Sequence, residues 1–433
     1  MQSILSRYRA SGILCGFVST AMWSGVAKAL VLLVTFYCSN TLTKQGFGEY
    51  SFIKNTLNVL LVICATNFSS LAAKFAAESM VSVVSLKRLY ILFIFVVSIG
   101  IVFGISLLAI PLTVVQSFTG GESVAYFVKV MGGLLPIFII QPVVASMLRG
   151  YQEFNKVGIY EAVMAVFYML ITVVCTKFWD YRGAVYSILS YYAISSIVGV
   201  VVLFKLNIHT HYIKKVDEFR SEYVVLWNMV FPVFMMSFIE VPLTWFAQAE
   251  IGRRTSYAMV AALSVIMSIR YIVQIFPTYF YQAFIPYATQ LFVLNKHNDY
   301  FEKYRVIVRT QALVQVIIIP LLVIFGRFFL SLYGKPYIEY YSSFVVSLIA
   351  IPLLLYSALF KTNMLIREHQ QLMLQMSIFS SLAFFVSFYI FINLNFNVVN
   401  SYLLAQSLQY AVQLLYGVLS YLKDKTLCGK INL

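Results

Sequence analysis

Residues 12–38 read GILCGFVSTAMWSGVAKALVLLVTFYC and contain one charged side chain, Lys28. A helix needs roughly 20 largely apolar residues to cross the hydrocarbon layer of a membrane, which is about 30 Å thick. The stretch is long enough, and it lacks the small-residue cleavage site that ends a signal peptide. We therefore predict a retained first membrane-spanning helix with a lysine near its middle.

The rest of the chain has the same character. Its 433 residues are 61% hydrophobic and 11% charged, and the mean hydropathy is +0.85. A water-soluble protein of this size does not have such a balance, because it must cover its surface with polar groups. The sequence predicts an all-α integral membrane protein, since backbone amides in lipid must be hydrogen-bonded within helices.

Apolar windows separated by charged clusters predict about twelve membrane-spanning helices. They fall into two sets of six: 12–38, 50–71, 89–115, 124–148, 157–179 and 183–203, then 224–248, 257–282, 306–330, 341–360, 372–393 and 398–422. We predict an N-terminal lobe at 1–205, a cytoplasmic linker at 206–223, and a C-terminal lobe at 224–433 that ends in a short cytoplasmic tail.

The positive residues set the predicted orientation. Nearly three times as many Lys and Arg residues lie on the side of the N-terminus as on the opposite side, which indicates cytoplasmic termini. The formal net charge of +15 is explained by these connections, so nucleic-acid binding is not predicted. Five cysteines without CxxC spacing and a single His209-x-His211 pair favour packing residues and a solvated loop over a metal site. No metal is expected.

Polar residues recur at helical spacing in four predicted spans, the first two of each lobe. In the first lobe they are Thr20, Ser24, Lys28 and Thr35, then Ser51, Lys54 and Asn58; in the second they are Ser237, Glu240, Thr244 and Gln248, then Arg270, Gln274, Thr278 and Gln282. Charges inside a membrane normally face a cavity or a partner. We expect the four stripes to line a common, net cationic cavity.

A simpler interpretation of these charges stays open at this stage. Glu240 and Arg270 both lie near the middle of their predicted spans and would form a buried structural pair. Lys54 lies about one turn from the end of its span, and its long side chain would extend to the interface.

Proline recurs in the fourth, seventh and eighth predicted spans. Pro136 and Pro142 lie in the fourth span, Pro232 and Pro242 in the seventh, and Pro277 in the eighth. Proline removes a backbone donor and permits bending. These helices are therefore the ones expected to bend.

Several short motifs resemble those of O-antigen and polysaccharide flippases of the multidrug/oligosaccharidyl-lipid/polysaccharide (MOP) exporter superfamily. They are Gly12, Trp23 and Lys28 in the first span, Gly46-Phe-Gly-Glu-Tyr-Ser51 before the second, Arg149-Gly150 after the fourth, Arg182-Gly183-Ala184 opening the sixth and Phe231-Pro232 in the seventh. The resemblance runs through nearly the whole chain. It implies a MATE-like fold, in which two six-helix lobes surround a central cavity that opens alternately to each side.

The resemblance also implies a function. The expected substrate is an undecaprenyl-diphosphate-linked oligosaccharide, such as an O-antigen repeat unit, moved from the cytoplasmic to the periplasmic leaflet of the bacterial inner membrane. Basic residues in spans one, two and eight of such flippases resemble Lys28, Lys54 and Arg270. We predict that these three bind the diphosphate, with Asn58, Gln274 and Thr244 as further substrate-binding residues.

Energy coupling is less defined by the sequence. Glu240 is the acid near the middle of a cavity-type span, so it is the predicted site for a proton or a sodium ion. No acidic residue is expected in the cavity helices of the first lobe, and no cofactor is expected beyond an ion gradient. A polysaccharide polymerase and a chain-length regulator are the expected protein partners.

Three alternatives remain. A multidrug exporter of the same superfamily would use acidic residues to attract organic cations. Glu240 is the one acidic residue near the middle of a predicted cavity helix. A flippase of the peptidoglycan precursor usually has two additional spans. A polymerase or ligase would be an enzyme with a large periplasmic loop, whereas the predicted outer connections are about ten residues or shorter.

The orientation is tested by cysteine labelling of the intact membrane. We expect residues 209–222 and the tail after Leu422 to react only from the cytoplasmic side, and residues 250–256 only from the periplasmic side. The opposite pattern in those segments overturns the predicted orientation.

Overall fold

A computed structural model of the chain describes residues 2–79, 83–151, 153–205, 219–274, 297–366 and 369–431. Almost all of them are helical, and no strand occurs in these ranges. The predicted all-α fold is confirmed. Outside the described residues lie the His209 and His211 pair, most of the predicted linker, Pro277, Thr278 and Gln282.

The chain forms two compact units, Met1–Ser237 and Phe238–Leu433, called here the first and second unit. Helix α9 (Phe219–Arg254) contains the division between them. The predicted lobe boundary at 206–223 falls mostly outside the described residues and stays a prediction.

In the described part of the first unit, eight helices and one short 3-10 turn precede α9. They are α1 (Gln2–Thr41), α2 (Lys44–Cys64), the turn Thr66–Phe68, α3 (Ser69–Ser79), α4 (Val83–Ala109), α5 (Leu112–Thr119), α6 (Glu122–Phe138), α7 (Ile140–Gly150) and α8 (Phe154–Lys205). Helix α1 packs along α8, while α3 packs on α7 and α4 on α6.

Where the second unit is described, it continues from α9 with six helices and another 3-10 segment. They are α10 (Tyr257–Gln274), α11 (His297–Leu332), the 3-10 segment Lys335–Tyr340, α12 (Tyr341–Leu348), α13 (Ala350–Ile366), α14 (Gln370–Asn393) and α15 (Val398–Ile431). Helix α15 packs against α12, α13 and α14 and is the central element of this packing.

Helix α8 is a hairpin of two antiparallel segments, because Trp179 and Asp180 leave the helical conformation (φ −130° and 50°). The Thr172 and Ser187 hydroxyls lie 2.8 Å apart across the hairpin, and the Tyr160 hydroxyl donates to the Ser195 carbonyl at 2.6 Å. The predicted fifth and sixth spans are therefore two separate crossings.

Two predicted spans are broken, and proline explains both breaks. Pro142 lacks the N–H that would bond the carbonyl of Phe138, the last residue of α6. Pro352 has the same relation to Leu348, the last residue of α12. Proline does not always have this effect, since α9 continues through Pro232 and Pro242.

All twelve predicted spans overlap helical residues, the eighth being described as far as Gln274. Among the described helices, seven are long and apolar enough to cross a membrane, and the bent pair Lys335–Leu348 and Ala350–Met364 makes eight. One of the seven, Asn155–Lys205, is the hairpin of two crossings. Helices α2, α9 and α15 are not among them, and they carry most of the polar residues considered below.

The surface of the helices is strongly apolar. Val102, Ile105, Leu170, Val316 and Ile324 are each more than half exposed. Such contiguous apolar surface is not stable in water, whereas hydrocarbon covers it at no cost. The protein is an integral membrane protein.

The α8 hairpin depends on a close backbone approach at Gly183. A Cβ atom at this position would lie 2.1 Å from the carbonyl oxygen of Cys175, a backbone atom that cannot rotate away. We expect Gly183→Ala to destabilise the protein by about 1–3 kcal/mol and to lower the apparent melting temperature in detergent.

The matched control is Gly133→Ala in α6, where a Cβ atom meets nothing within 4 Å. This change should leave the melting temperature unchanged or raise it slightly, because alanine favours helix. Equal melting temperatures for the two variants would contradict the assigned hairpin geometry.

Candidate functional site

Lys54 joins α2 to the polar stripe of α1. Its Nζ donates to Thr35 Oγ1 at 3.3 Å and lies 5.8 Å from the centre of the Tyr50 ring, which is within cation–π range. The side chain is half-buried. Lys54 therefore contacts a hydroxyl of α1 and an aromatic face of its own helix, and the alternative in which it extends to the interface stays open.

The charge of Lys54 has no carboxylate partner. Among the described residues, no Asp or Glu side chain lies within salt-bridge distance of its ammonium group. A cation inside a membrane span is costly unless it is paired or solvated. The first unit thus contains an ammonium group that requires water or an external anion.

Lys28 and Asn58 lie on the same two helices. Lys28 is half-buried and precedes Thr35 by two turns of α1, about 10 Å along the axis. Asn58 is exposed on α2, one turn beyond Lys54, and accepts a long hydrogen bond of 3.4 Å from the Tyr192 hydroxyl. Exposed polar groups at membrane depth face water rather than lipid. This part of the first unit is therefore a solvated, basic surface.

A row of tyrosines supports this surface from α8. The Tyr50 and Tyr168 hydroxyls lie 2.6 Å apart and are buried. Tyr191 packs against Tyr168 with ring centres 5.1 Å apart and against Tyr192 at 5.0 Å. The row connects Tyr50, whose ring contacts Lys54, to Tyr192, whose hydroxyl donates to Asn58.

An acidic side chain of α8 contacts the polar stripe of α1. Ser24 Oγ donates to Glu161 Oε2 at 2.6 Å, and the Arg149 guanidinium pairs with Glu161 Oε1. Glu161 lies on α8, in the predicted fifth span, so a neighbouring helix supplies an acid to the polar stripe of α1. Since Arg149 neutralises Glu161, the pair adds no net negative charge beside Lys28 and Lys54.

Arg270 of the second unit is deeply buried, with 1% of its surface exposed. Its Nη1 donates to Gln406 Oε1 at 2.7 Å and contacts the Met267 sulfur at 3.4 Å, and Tyr410 lies beside it. Its Nε finds no hydrogen-bond partner among the described residues. Arg270 is thus enclosed by neutral groups in this conformation.

Glu240 is the centre of a second polar cluster. Its carboxylate contacts Lys361 Nζ at 3.4 Å and accepts from the amide nitrogens of Gln409 and Gln413, each at 3.3 Å. Gln413 also donates to Ser380 Oγ at 3.2 Å. The alternative in which Glu240 pairs with Arg270 is therefore wrong, because its ion pair is with Lys361.

The other predicted residues of the second unit are Thr244, Gln248 and Gln274. Thr244 donates to the carbonyl of Val241 in its own helix at 2.9 Å. Gln248 donates to the Tyr402 hydroxyl at 3.1 Å. Gln274 is half-buried at the end of the described part of α10. Whether Thr244, Gln274 and Asn58 bind substrate stays a prediction.

Sequence reasoning missed the contribution of α15. The residues that face Gln248, Arg270 and Glu240 share one face of this helix, at spacings of three and four: Tyr402, Gln406, Gln409 and Gln413. Three glutamines at helical spacing in an apolar span would have been the signal. Lys361 was missed because it follows the predicted tenth span and was counted with the cytoplasmic connection.

The fold is that of MATE transporters. Similar solved structures include the inward-facing conformation of a multidrug resistance MATE family transporter of the MOP superfamily, with a TM-score of 0.72, 12% identity, and 96% of this chain and 98% of that chain covered. Its outward-facing conformation gives a TM-score of 0.70 at 12% identity, covering 97% and 96%. A MOP superfamily transporter from Pyrococcus furiosus gives 0.68 at 13% identity, covering 94% and 95%.

The family follows from the sequence itself. The model of the family described as polysaccharide biosynthesis protein matches residues 13–292. The chain belongs to this family, and the predicted membership in the MOP superfamily is confirmed. No curated protein matches the chain. The protein is a multi-pass membrane transporter of the MOP superfamily, either a flippase or an exporter.

Proposed function

We propose that the protein is a flippase for an undecaprenyl-diphosphate-linked oligosaccharide, such as an O-antigen repeat unit, in the bacterial inner membrane. It moves the diphosphate and glycan by alternating access from the cytoplasmic to the periplasmic leaflet, while the prenyl tail stays in the bilayer. Both termini are cytoplasmic in this proposal, and a polysaccharide polymerase and a chain-length regulator act on the delivered product.

The observation that carries the proposal is the charge of Lys54, which has no carboxylate partner among the described residues. A diphosphate cannot cross hydrocarbon without compensation, and an ammonium group in a partly dehydrated site offers charge-assisted hydrogen bonds, about twice as strong as neutral ones. Lys28 lies on the same two helices, and Glu161, which contacts Ser24 of α1, is neutralised by Arg149. The surface is suited to an anion.

The same observation argues against an organic cation as the substrate. A multidrug exporter is the main alternative, because two of the similar structures are described as multidrug resistance transporters. A cationic drug would be repelled by Lys28 and Lys54. The acid of α2, Glu49, lies near the start of that helix, accepts a hydrogen bond from Gln45 Nε2 at 3.3 Å, and is not part of the polar stripe that contains Lys54. The peptidoglycan precursor also carries a diphosphate, so charge alone does not discriminate against it.

Arg270 contributes positive charge from the second unit. It is enclosed in this conformation, so direct contact with the diphosphate requires that Gln406 and the surrounding helices move. Alternating access supplies such movement in principle. Arginine binds phosphate bidentately, whereas lysine acts as a mobile point charge that releases its ligand more readily.

The central experiment removes the basic groups one at a time in a strain that depends on this protein for surface polysaccharide. Lys28→Ala, Lys54→Ala and Arg270→Ala should accumulate in the membrane but lose most export, because the diphosphate then lacks compensating charge. Lys28→Arg should keep part of the activity. The readout is surface polysaccharide normalised to protein in the membrane.

Lys129→Ala is the matched control, because Lys129 lies on α6 and donates to the carbonyl of Leu108 of α4 at 2.8 Å. Export should be retained. Normal export by the Lys28 and Lys54 alanine variants, at wild-type abundance, would show that the basic surface does not act on the substrate.

We also propose that Glu240 couples transport to a proton or sodium gradient. Its carboxylate is 25% exposed, so an ion from solution can reach it. In proteoliposomes Glu240→Gln should abolish the response of transport to an imposed gradient while leaving the protein folded. Full gradient-dependent transport by this variant would show that Glu240 does not couple transport to the gradient. Its remaining role would be the ion pair with Lys361.

A further inference from the structure

Lys361 lies in the second polar cluster and is not used by the function proposed above. Its side chain is 29% exposed, in contrast to Arg270, which is 1% exposed. A charged group inside a membrane protein that keeps this much exposure faces water or a polar ligand. Lys361 is thus a cation of the second polar cluster that a ligand can reach without prior rearrangement of the helices.

The contact between Lys361 and Glu240 is loose. The distance is 3.4 Å, whereas a well-formed hydrogen bond between an ammonium group and a carboxylate measures about 2.7–2.9 Å. The bond from Arg270 to Gln406 in the same unit is 2.7 Å. An ion pair with a long contact and partial exposure is weakly held, because solvent competes with both partners.

Glu240 keeps other donors if Lys361 leaves. Gln409 and Gln413 both donate to Oε1, while Lys361 contacts Oε2. Removing the ammonium group therefore does not leave a buried carboxylate without hydrogen bonds, which is the costly outcome when most buried pairs are broken. The cluster is arranged so that the lysine can exchange its partner.

The backbone around Lys361 is anchored, so that exchange involves the side chain only. Phe360 packs closely on Gly417 of α15 and belongs to an aromatic cluster with Tyr304 and Tyr421. Asn363 accepts a hydrogen bond from the Tyr300 hydroxyl. The four-carbon stem of lysine is flexible, so the ammonium group can move while α13 stays in place.

We propose that Lys361 binds a phosphate oxygen of the lipid diphosphate. When no substrate is bound, the Glu240 carboxylate pairs with the Lys361 ammonium group instead. The carboxylate and the phosphate compete for one ammonium group, so substrate binding separates Lys361 from Glu240. The released Glu240 is then held by the two glutamines alone and is open to a cation from solution. This inference rests on the proposed flippase function and links its substrate to its coupling residue.

The experiment measures binding of undecaprenyl diphosphate to the purified full-length protein in lipid nanodiscs, with undecaprenol as the ligand that lacks phosphate. Lys361→Gln should weaken binding by about tenfold or more, the effect of losing a hydrogen bond to a charged group. Lys361→Arg should retain most of the affinity. Glu240→Gln should bind more tightly than the wild type, because the internal competitor has lost its charge.

The double variant Glu240→Gln with Lys361→Gln separates this proposal from a purely structural pair. If the two residues only stabilise each other, neutralising both restores binding. If Lys361 contacts the diphosphate, the double variant binds as weakly as Lys361→Gln. The matched control is Arg327→Gln on α11, a cation whose guanidinium lies 5.1 Å from the Tyr341 ring; its affinity should equal that of the wild type.

The outcomes distinguish the two levels of the proposal. Wild-type affinity in Lys361→Gln, or recovery in the double variant, overturns the role of Lys361 while the flippase function stands. A wild-type protein that binds undecaprenyl diphosphate no better than undecaprenol overturns both.

Discussion

Inside a membrane each charge needs a partner, from the chain or from a bound molecule, because hydrocarbon solvates neither ions nor amides. Glu161 has Arg149 and Ser24, and Arg270 has a neutral glutamine. Lys54 has a threonine hydroxyl and a tyrosine ring, but no carboxylate among the described residues. This imbalance is the reason for proposing an anionic ligand in the first unit.

Neutral amides have a different role in the second unit. A glutamine can donate to a carboxylate or accept from a guanidinium without adding charge. Three of them on α15 hold Arg270 and Glu240 in this way. Glu240 and one nitrogen of Arg270 are therefore hydrogen-bonded to neutral amides and not held only by tight ion pairs.

The framework around these groups depends on local chemistry. The breaks after α6 and α12 follow from prolines that cannot bond the carbonyl four residues earlier. Such breaks are tolerated in membranes where neighbouring helices satisfy the freed carbonyl groups. They divide long spans into shorter rigid pieces, and the flanking helices of each unit stay packed.

The sequence by itself determined the membrane class, the positions of the spans and the helix faces that carry polar residues, because hydropathy and helical period are local properties. It also contained the motifs that indicate the superfamily. Only the tertiary structure decided which charge meets which partner. Glu240 meets Lys361 across 121 positions, and Ser24 meets Glu161 across 137. These contacts depend on which helix faces pack together, and no local pattern in the chain specifies that choice.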